Sequence, residues 1–395
     1  MDRQTIDFIN SHADDDIRKL ALKGQGNKDI DMSYALDQIA GRQTAKRKLP
    51  LWAAVSGIVY PQHLSMEQCS SQQTAQYKAA VADGLHTEER SFADLTGGFG
   101  VDFSFIARSF AKSTYVEQQQ HLCAIASANF KLLGLDNVEV INDDGISYLQ
   151  QMNHVGLIYL DPARRNKDGG RTFAISDCSP NVIDIKDLLL SKADYVMIKL
   201  SPMLDWRKTV GDLGSSVKAV HIVSVDNECK ELVIVMSNQD KESLRVVCVN
   251  DGDAIEFISG NIPNLICSSS LPQPSNYIYE PNASIMKAGC FSLLEERYHV
   301  KQIGRNSHLF VSETLVEAFP GRKFKIDSVT TMNKKDLRKA LYGISKANIT
   351  VRNFPVTVAD LRKRLKLSEG GDTYIFATTL ADGSHVLLIC SKIIY

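Results

Sequence analysis

A glycine-rich turn is the first part of this sequence whose residue types could support chemistry. The segment ADLTGGFGVD (Ala93–Asp102) carries glycines at Gly97, Gly98 and Gly100, directly after a strand-like run. Glycine lets the backbone approach a ligand where a Cβ would collide, and the N-terminus of a following helix offers unpaired N–H groups. The turn therefore predicts a ligand-binding site, with a purely structural tight turn as the alternative.

Acidic side chains follow the next three predicted strands. Glu117 stands twenty positions beyond Gly97, where an acid receives ribose hydroxyls in nucleotide-binding α/β folds. Asp143 and Asp144 follow the third strand and are placed to accept a hydrogen bond from an adenine amine, and Asp161 in YLDPARR ends the fourth. Each acid alone could cap a helix. Together, at the carboxyl ends of successive parallel strands, they predict one binding edge.

The elements that would position these side chains alternate between short β-rich runs and amphipathic helical stretches. Strands are predicted at Phe92–Leu95, Thr114–Glu117, Val138–Ile141, Leu157–Leu160 and Tyr195–Lys199. Such alternation is typical of parallel strands with helices on both faces. Two further strand-like runs, Ala219–Val225 and Glu231–Met236, are too close in sequence for a helical crossover, so they must be antiparallel.

This strand pair separates two classes of enzyme. A nicotinamide-dependent dehydrogenase would share the glycines and the acid after the second strand. The antiparallel pair instead resembles the seventh strand that class I methyltransferases insert between the fifth and sixth. The predicted fold class is therefore α/β: a class I methyltransferase (Rossmann-like) doubly wound sheet with an antiparallel last strand, a helical N-terminal region and a small α+β C-terminal domain.

Four motifs together resemble one family. LSMEQCSSQQTAQYKA (Leu64–Ala79), DLTGGFGVD, DPARR and a basic C-terminal end are similar to the bacterial class I S-adenosylmethionine-dependent methyltransferases with a THUMP-like C-terminal domain, over nearly the whole chain. The resemblance implies S-adenosyl-L-methionine as cofactor and a nitrogen of a base in RNA as the methyl acceptor. It also implies that the segment from Leu64 to Lys78 folds over the methionine part of the cofactor, where Gln68 and Ser71 are candidate contacts. A capped helix N-terminus is the alternative for this segment.

The predicted site combines cofactor contacts with catalytic residues. The predicted cofactor contacts are Ser70, Thr74, Asp94, Thr96, Gly97, Gly98, Gly100, Glu117, Gln118, Asp143 and Asp144. The predicted catalytic residues are Asp161, Pro162, Arg164 and Arg165, with Lys199 and Ser201 as further candidates. Asp161 would orient a nucleophilic nitrogen, whereas the two arginines would bind phosphate or stack on the target base. Salt bridges to nearby acids are the alternative for both arginines.

The DPARR motif at the end of the fourth predicted strand departs from the corresponding motif of related enzymes. Methyltransferases acting on exocyclic amines of bases generally carry an aromatic residue after the prolines of this motif. In this sequence Ala163, Arg164 and Arg165 stand there instead. Methylation of a pyrimidine ring carbon needs a thiolate, but Cys178 lies well past the motif and lacks a preceding Pro-Cys context. A base nitrogen therefore stays the predicted acceptor.

The charge distribution points to the C-terminal end as the polyanion-binding region. The chain of 395 residues has a net charge of −1, which argues against a uniformly basic nucleic-acid binder. The segment from Lys323 to Lys366, however, contains twelve basic residues and three acidic ones, Asp327, Asp336 and Asp360. The predicted RNA contacts are Lys334, Lys335, Arg338, Lys339, Arg362, Lys363 and Arg364.

Composition indicates a folded cytoplasmic protein with neither a metal site nor a membrane partner. No apolar run approaches the roughly 20 residues of a membrane span, and the eight cysteines form no C-x-x-C pair. Four regions are predicted: a helical N-terminal region (1–60), a class I methyltransferase domain (61–240), a β-rich linking domain (241–312) and a basic THUMP-like α+β domain (313–395). Besides an RNA methyltransferase, the sequence allows a small-molecule or protein methyltransferase and a noncatalytic RNA-binding protein.

Overall fold

The computed structural model describes residues 3–23, 29–164, 174–239, 243–260, 267–268 and 271–393. Arg165, predicted to be catalytic, lies outside the described residues, and only the backbone of Arg164 is described. The chain divides into two compact units. The first is Met1–Val225 with Lys230–Leu244, and the second is Asp226–Cys229 with Arg245–Tyr395.

The predicted helical region at the start of the chain is confirmed. Its helices are α1 (Arg3–Ser11), α2 (Ile17–Lys23), α3 (Met32–Lys48) and α4 (Pro50–Ala53). The buried amide of Gln38 donates to the Tyr60 carbonyl over 2.7 Å and accepts from the Tyr60 N–H over 2.9 Å. Trp52 packs edge-on against Phe99 with ring centroids 4.9 Å apart. Because Phe99 belongs to the glycine-rich turn, the helical region supports that turn directly.

A mixed sheet flanked by helices forms the rest of the first unit. Its strands are β1 (Ser91–Asp94), β2 (Lys112–Val116), β3 (Val138–Ile141), β4 (Val155–Leu160), the short β5 (Ala163–Arg164) and β6 (Cys178–Ser179), β7 (Ala193–Leu200), β8 (Val217–Val225) and β9 (Glu228–Met236). Its helices are α5 (His63–Gln68), α6 (Gln72–Asp83), α7 (Val101–Ile106), α8 (Gln120–Leu132), α9 (Gly145–Gln151), α10 (Val182–Lys192) and α11 (Trp206–Leu213). Within the described residues β5 and β6 pair with each other in a separate two-stranded sheet, whereas the other seven strands belong to the mixed sheet.

The strand order of this unit confirms the predicted fold class. Along the sheet the order is β8-β9-β7-β4-β1-β2-β3. The five strands β1, β2, β3, β4 and β7 are parallel, whereas β9 runs antiparallel to β7. Asp226 and Asn227 join β8 to β9 with φ of 53° and 58°, the left-handed values that a two-residue type I′ hairpin requires. β9 therefore lies between the fifth parallel strand and β8, as predicted.

The second unit is built on a seven-stranded sheet. The antiparallel pair β10 (Arg245–Asn250) and β11 (Asp253–Ile258) precedes this sheet in the chain and is not part of it. The strands of the sheet are β12 (Tyr277–Pro281), β13 (Lys301–Gln302), β14 (Phe310–Ser312), β15 (Gly321–Thr330), β16 (Asn348–Arg352), β17 (Thr373–Thr379) and β18 (His385–Lys392). The helices of the unit are α12 (Ala283–Ala288), α13 (Phe291–Tyr298), α14 (Lys334–Ala340) and α15 (Val358–Leu365). The sheet order is β13-β14-β12-β15-β18-β17-β16. β17 and β18 form an antiparallel hairpin at the C-terminal end of this sheet's chain segment. The expected boundary between 241–312 and 313–395 falls inside this sheet, because β12 pairs with both β14 and β15.

Candidate functional site

The glycine-rich turn crosses the carboxyl ends of the parallel strands. Leu95 N donates to the Tyr159 carbonyl of β4 over 3.1 Å, and Gly97 N donates to the Val116 carbonyl of β2 over 2.9 Å. These bonds use the backbone groups that the strands leave unpaired where they end. The turn is therefore held on both sides by the sheet itself.

The three glycines of the turn serve two different purposes. A Cβ on Gly97 would lie 2.3 Å from the Tyr115 ring, and one on Gly100 would lie 2.7 Å from the Phe130 ring. These two positions are therefore restricted by the aromatic core beneath the turn rather than by a ligand. Gly98, with φ +55°, has nothing nearer than the Thr96 carbonyl at 3.7 Å, so its outer face is open to a ligand.

Glu117 connects the end of β2 to this turn. Its buried carboxylate accepts a hydrogen bond from Gly98 N over 2.9 Å and another from Gln119 N over 2.8 Å. Two bound N–H groups fix both oxygens of the carboxylate, which has lone pairs left for further donors. Glu117 thus holds an acceptor in place beside the open face of Gly98.

Asp94 and Thr96 connect the ends of β1 and β4. Asp94 Oδ1 accepts from Thr96 N over 2.9 Å, and Thr96 Oγ1 accepts from the backbone N–H of Asp161 over 2.6 Å. Burial raises the pKa of Asp94 well above its usual range, and the nearby Asp102 and Asp161 raise it further. This corner of the site therefore favours a partner that brings positive charge or hydrogen-bond donors to Asp94.

Asp161 forms an ion pair with Lys199 of β7. Asp161 Oδ2 lies 2.6 Å from Lys199 Nζ, and the side chain of Asp161 is 40% exposed while that of Lys199 is 14% exposed. Burial would lower the pKa of Lys199, but Asp161 and Asp102 together raise it above its ordinary value. The amine is therefore a fixed cation beside a partly accessible carboxylate.

These groups line one cavity of about 860 Å³ in the first unit. The predicted residues that line it are Gln68, Ser70, Asp94, Thr96, Gly97, Gly98, Gly100, Glu117, Gln118, Asp144, Asp161, Pro162, Lys199 and Ser201. Its volume falls within the roughly 300 to 1,000 Å³ of small-molecule sites. Thr74 and Asp143 are not among its lining residues.

Several predicted contacts also cap helices, which was the alternative for them. Ser71 Oγ accepts from Thr74 N over 3.3 Å and caps α6. Asp144 Oδ1 accepts from Ile146 N and Ser147 N, both over 3.0 Å, and caps α9 while it also lines the cavity. Asp143 Oδ1 accepts from Asp144 N over 2.8 Å. The cofactor roles of Thr74 and Asp143 stay predictions that this geometry does not require.

A buried ion network behind the cavity was not predicted from the sequence. Lys78 of α6, with no exposed side-chain surface, lies 2.5 Å from Glu231 Oε1 and 3.2 Å from Asp102 Oδ1. Asp102 Oδ2 accepts from Ser70 Oγ and from the Tyr159 hydroxyl, each over 2.8 Å. Asp102 itself lines the cavity, so the network reaches the site.

Two patterns in the sequence could have indicated this network. Lys78 shares helical spacing with Ala75 and Ala82, both of which are buried, so it interrupts an apolar face. Glu231 is two and four residues before Val233 and Val235 in the same strand, so the three side chains share one face of the strand, and that face is buried. A lysine and a glutamate that each occupy a core position require a charged partner.

The second unit carries a separate basic surface around α14. We call this surface the α14 patch; its residues are Lys334, Lys335, Arg338, Lys339 and Tyr342, and they surround a concavity of about 680 Å³. Tyr342, which was not predicted, is 89% exposed. Of the other predicted RNA contacts, Lys363 and Arg364 are exposed, whereas Arg362 donates to the Ala347 carbonyl over 3.2 Å and lies 3.8 Å from Glu369.

In the part of the chain that the structure describes, no group of three or more histidine, cysteine, aspartate or glutamate side chains is arranged to hold a metal ion. No helix in these described ranges is long and apolar enough to cross a membrane.

Comparison with known proteins gives a full-length match. Family models described as a ferredoxin-like domain and as THUMP domain-like match residues 277–320 and 321–392. A protein from Porphyromonas gingivalis W83, provisionally named a methyltransferase, is 30% identical over 100% of both chains, and its crystal structure gives a TM-score of 0.86.

Other comparisons cover less of the chain. A SAM-dependent methyltransferase from Agrobacterium tumefaciens is 21% identical over 32% of this chain and 44% of that chain, with a TM-score of 0.26. An rRNA methylase from Streptococcus thermophilus is 15% identical over 40% of this chain and 93% of that chain, with a TM-score of 0.31. No curated protein gives a significant match. The full-length similarity and the strand order show that this chain belongs to the class I S-adenosylmethionine-dependent methyltransferases with a THUMP-like C-terminal domain.

Proposed function

We propose that this protein transfers the methyl group of S-adenosyl-L-methionine to a nitrogen of a base in RNA. The observation that carries this proposal is the shared cavity. The carboxylate of Asp161, the open face of Gly98 and the carboxylate of Glu117 all border the same space of about 860 Å³. A methyl acceptor and a nucleotide-like cofactor could therefore meet there.

The residues at one end of the cavity fit the cofactor. Glu117 offers an oriented carboxylate for the ribose hydroxyls, and Asp144 lies at the end of β3, where an acid can accept from the adenine amine. Asp94 is a buried acceptor suited to the ammonium group of the methionine part. A side chain at Gly98 would occupy the space that the cofactor needs. When bound, the cofactor supplies a methyl group that is already activated on a sulfonium.

The chain's own task is therefore alignment and exclusion of water. Asp161 is fixed through its backbone N–H to Thr96 and through its carboxylate to Lys199. A carboxylate held in this way can accept a hydrogen bond from the N–H of an acceptor amine, point the nitrogen lone pair into the cavity, and take up the proton that the methylated nitrogen releases. Apolar side chains, among them Leu122 and Leu149, line another part of the wall.

The α14 patch supports RNA as the acceptor. Four cations on a seven-residue helix form a compact positive surface that can neutralise phosphates. Tyr342 holds an exposed ring beside them, and unpaired bases stack on such rings. Lys363 and Arg364 of α15 add exposed positive charge to the same unit.

The test is transfer of labelled methyl groups by the purified full-length protein. Total RNA from cells that lack the gene is incubated with labelled S-adenosyl-L-methionine, in parallel with the protein and small-molecule fractions of the same cells. We expect label in the RNA fraction, and nucleoside mass spectrometry then gives the base. Label only in the protein fraction or only in the small-molecule fraction would identify that class of molecule as the substrate instead of RNA. Cofactor binding without turnover on any fraction would favour a noncatalytic RNA-binding role.

A further inference from the structure

We propose that Lys78 is a positioning residue for methyl transfer, whose buried ammonium keeps Asp102 charged and thereby fixes Lys199 beside Asp161. The catalytic part of this inference rests on the proposed function. The electrostatic part concerns only the chain's own side chains and can be tested without a substrate.

Five charged groups alternate in sign from the core to the cavity. Glu231 Oε1 lies 2.5 Å from Lys78 Nζ, and Lys78 Nζ lies 3.2 Å from Asp102 Oδ1. Asp102 Oδ2 lies 3.9 Å from Lys199 Nζ, which in turn is 2.6 Å from Asp161 Oδ2. Each charge therefore has an opposite charge on at least one side. Lys78 is the cation at the centre of the buried half.

The surroundings of Asp102 make Lys78 decisive for its charge. Burial would raise the pKa of Asp102, but Lys78 first and Lys199 second hold the pKa below its ordinary value, with help from the hydroxyls of Tyr159 and Ser70. The titratable groups around Asp102 are Cys69 before α6, Lys78 from α6, Asp94 from β1, Tyr159 from β4, Asp161 after β4, Lys199 from β7 and Glu231 from β9. Lys78 and Lys199 are the cations in this set.

Loss of Lys78 should therefore let Asp102 take up a proton. Burial is the largest effect on the pKa of Asp102 and Lys78 is the largest opposing one, so removal of Lys78 raises this pKa. A fully buried carboxyl can move upward by roughly 3 to 5 pH units. Once protonated, Asp102 no longer attracts Lys199, whose ammonium is then held by Asp161 alone. As the pH falls, the Lys199 ammonium would then no longer be held in one position beside the carboxylate of Asp161.

Stability alone does not account for a lysine at this position. Buried ion pairs contribute little net stability, and their replacement by apolar residues of similar volume is often neutral or stabilising. A methionine could fill the volume of Lys78 if Glu231 were neutralised as well. The contact to Asp102, a residue that lines the cavity, is what such a replacement would lose.

The experiment compares four full-length proteins: wild type, Lys78→Met, Lys78→Met/Glu231→Gln and the matched control Glu231→Gln. The control removes a charge from the far side of Lys78 and leaves the contact with Asp102. The double variant avoids an unpaired buried glutamate. Carbon-13 NMR of protein labelled at the aspartate side-chain carboxyl carbon follows the titration, with the Asp102 signal assigned from Asp102→Asn. Single-turnover methyl transfer to RNA is measured over the same pH range.

We expect Asp102 to titrate below the ordinary range of an aspartate in wild type and in Glu231→Gln, and at least about one unit higher in both Lys78 variants. The ratio of variant rate to wild-type rate should then fall about tenfold per pH unit below the new pKa, because the ionised fraction falls by that factor. It should recover at high pH. Loss of packing alone would lower this ratio equally at every pH.

Three results would overturn the inference. The first is an Asp102 signal that does not move in the Lys78 variants. The second is a rate ratio that is independent of pH although Asp102 titrates. The third is failure of both Lys78 variants to fold while Glu231→Gln folds, which would make the role of Lys78 one in folding. If wild type transfers no methyl group, the proposed function fails, and the catalytic role fails with it. The NMR titration still decides the link between Lys78 and Asp102.

Discussion

Replacement of Asp161 by alanine gives the sharpest test of the candidate site. The truncation keeps the backbone N–H of Asp161, which donates to Thr96 Oγ1 over 2.6 Å, and Pro162 still restricts the chain. It removes the carboxylate that lies 2.6 Å from Lys199 Nζ. Because the Asp161 side chain is 40% exposed, the pair contributes at most about 1 kcal/mol to folding. We therefore expect a folded protein that still binds the cofactor.

The expected loss of activity follows from the hydrogen bond that the carboxylate offers. A hydrogen bond to a charged group is worth about 1.5–3 kcal/mol, which corresponds to roughly a 10- to 150-fold change in rate. The Asp161→Ala enzyme would also present the Lys199 cation to the acceptor without the nearer of its two carboxylate partners. We therefore expect a loss near the upper end of this range, about a hundredfold, in the single-turnover rate.

The assay is single-turnover transfer of labelled methyl groups to RNA from cells that lack the gene, with cofactor affinity measured by calorimetry. Asp161→Asn keeps the shape but removes the charge, so it separates hydrogen bonding from electrostatics. Asp187→Ala, which changes an exposed carboxylate on α10, is the matched control and should leave the rate unchanged. A wild-type rate in Asp161→Ala would refute the reasoning and move the reaction to another part of the cavity.

Four further predictions concern the glycine-rich turn, the charges and the tyrosine of the α14 patch, and Asp94. Gly98→Val should abolish cofactor binding as measured by calorimetry. The control Gly134→Val, at another open glycine with positive φ, should lose similar stability but keep the affinity for the cofactor. Normal cofactor affinity in Gly98→Val would show that the turn is not part of the binding site. Reversal of the four charges of the α14 patch should lower the salt slope of RNA binding by roughly one unit per lost phosphate contact. Tyr342→Ala should instead weaken binding by about 1–3 kcal/mol per stacked base at an unchanged slope; unchanged RNA binding in both cases would reduce the patch to a solvated surface. Because burial raises the pKa of Asp94, the unfolded chain loses this proton at lower pH than the folded chain, so the acid costs stability as the pH rises above about 4. Asp94→Asn should therefore raise the melting temperature at pH 7 but not at pH 3, and equal shifts at both would contradict this.

The sequence by itself determined the fold class, because the alternation of strands with helices and the short link before the last strand are signals that lie close together in the chain. The five β-rich runs separated by amphipathic stretches predicted parallel strands, and the short link between Val225 and Glu231 required an antiparallel pair. Turn glycines and acids at strand ends could be assigned to one edge for the same reason. Chain direction alone brings Asp94, Glu117 and Asp161 together once the strands are parallel.

Tertiary packing decided the physical role of individual residues. The glycines were predicted to admit a ligand, yet Gly97 meets the ring of Tyr115 on β2 and Gly100 meets the ring of Phe130 on α8. The second contact depends on how α8 packs over the sheet. Only Gly98 of the three has an open face towards a ligand. A pattern of glycines shows where a Cβ is excluded but not which neighbour excludes it.

The charge of the site was likewise decided by contacts between distant parts of the chain. Lys78 and Glu231 are 153 positions apart. Lys78 lies in the segment that was predicted to fold over the cofactor but was not itself a predicted contact, and Glu231 belongs to none of the predicted motifs. Their pairing arises only when α6 packs against the sheet that contains β9, and the contact of Lys78 with Asp102 only when α6 packs against α7. Local periodicity can show that a lysine occupies a buried position, but the identity of its counter-charge depends on the folded arrangement, since electrostatic energy is set by distance in space and by burial.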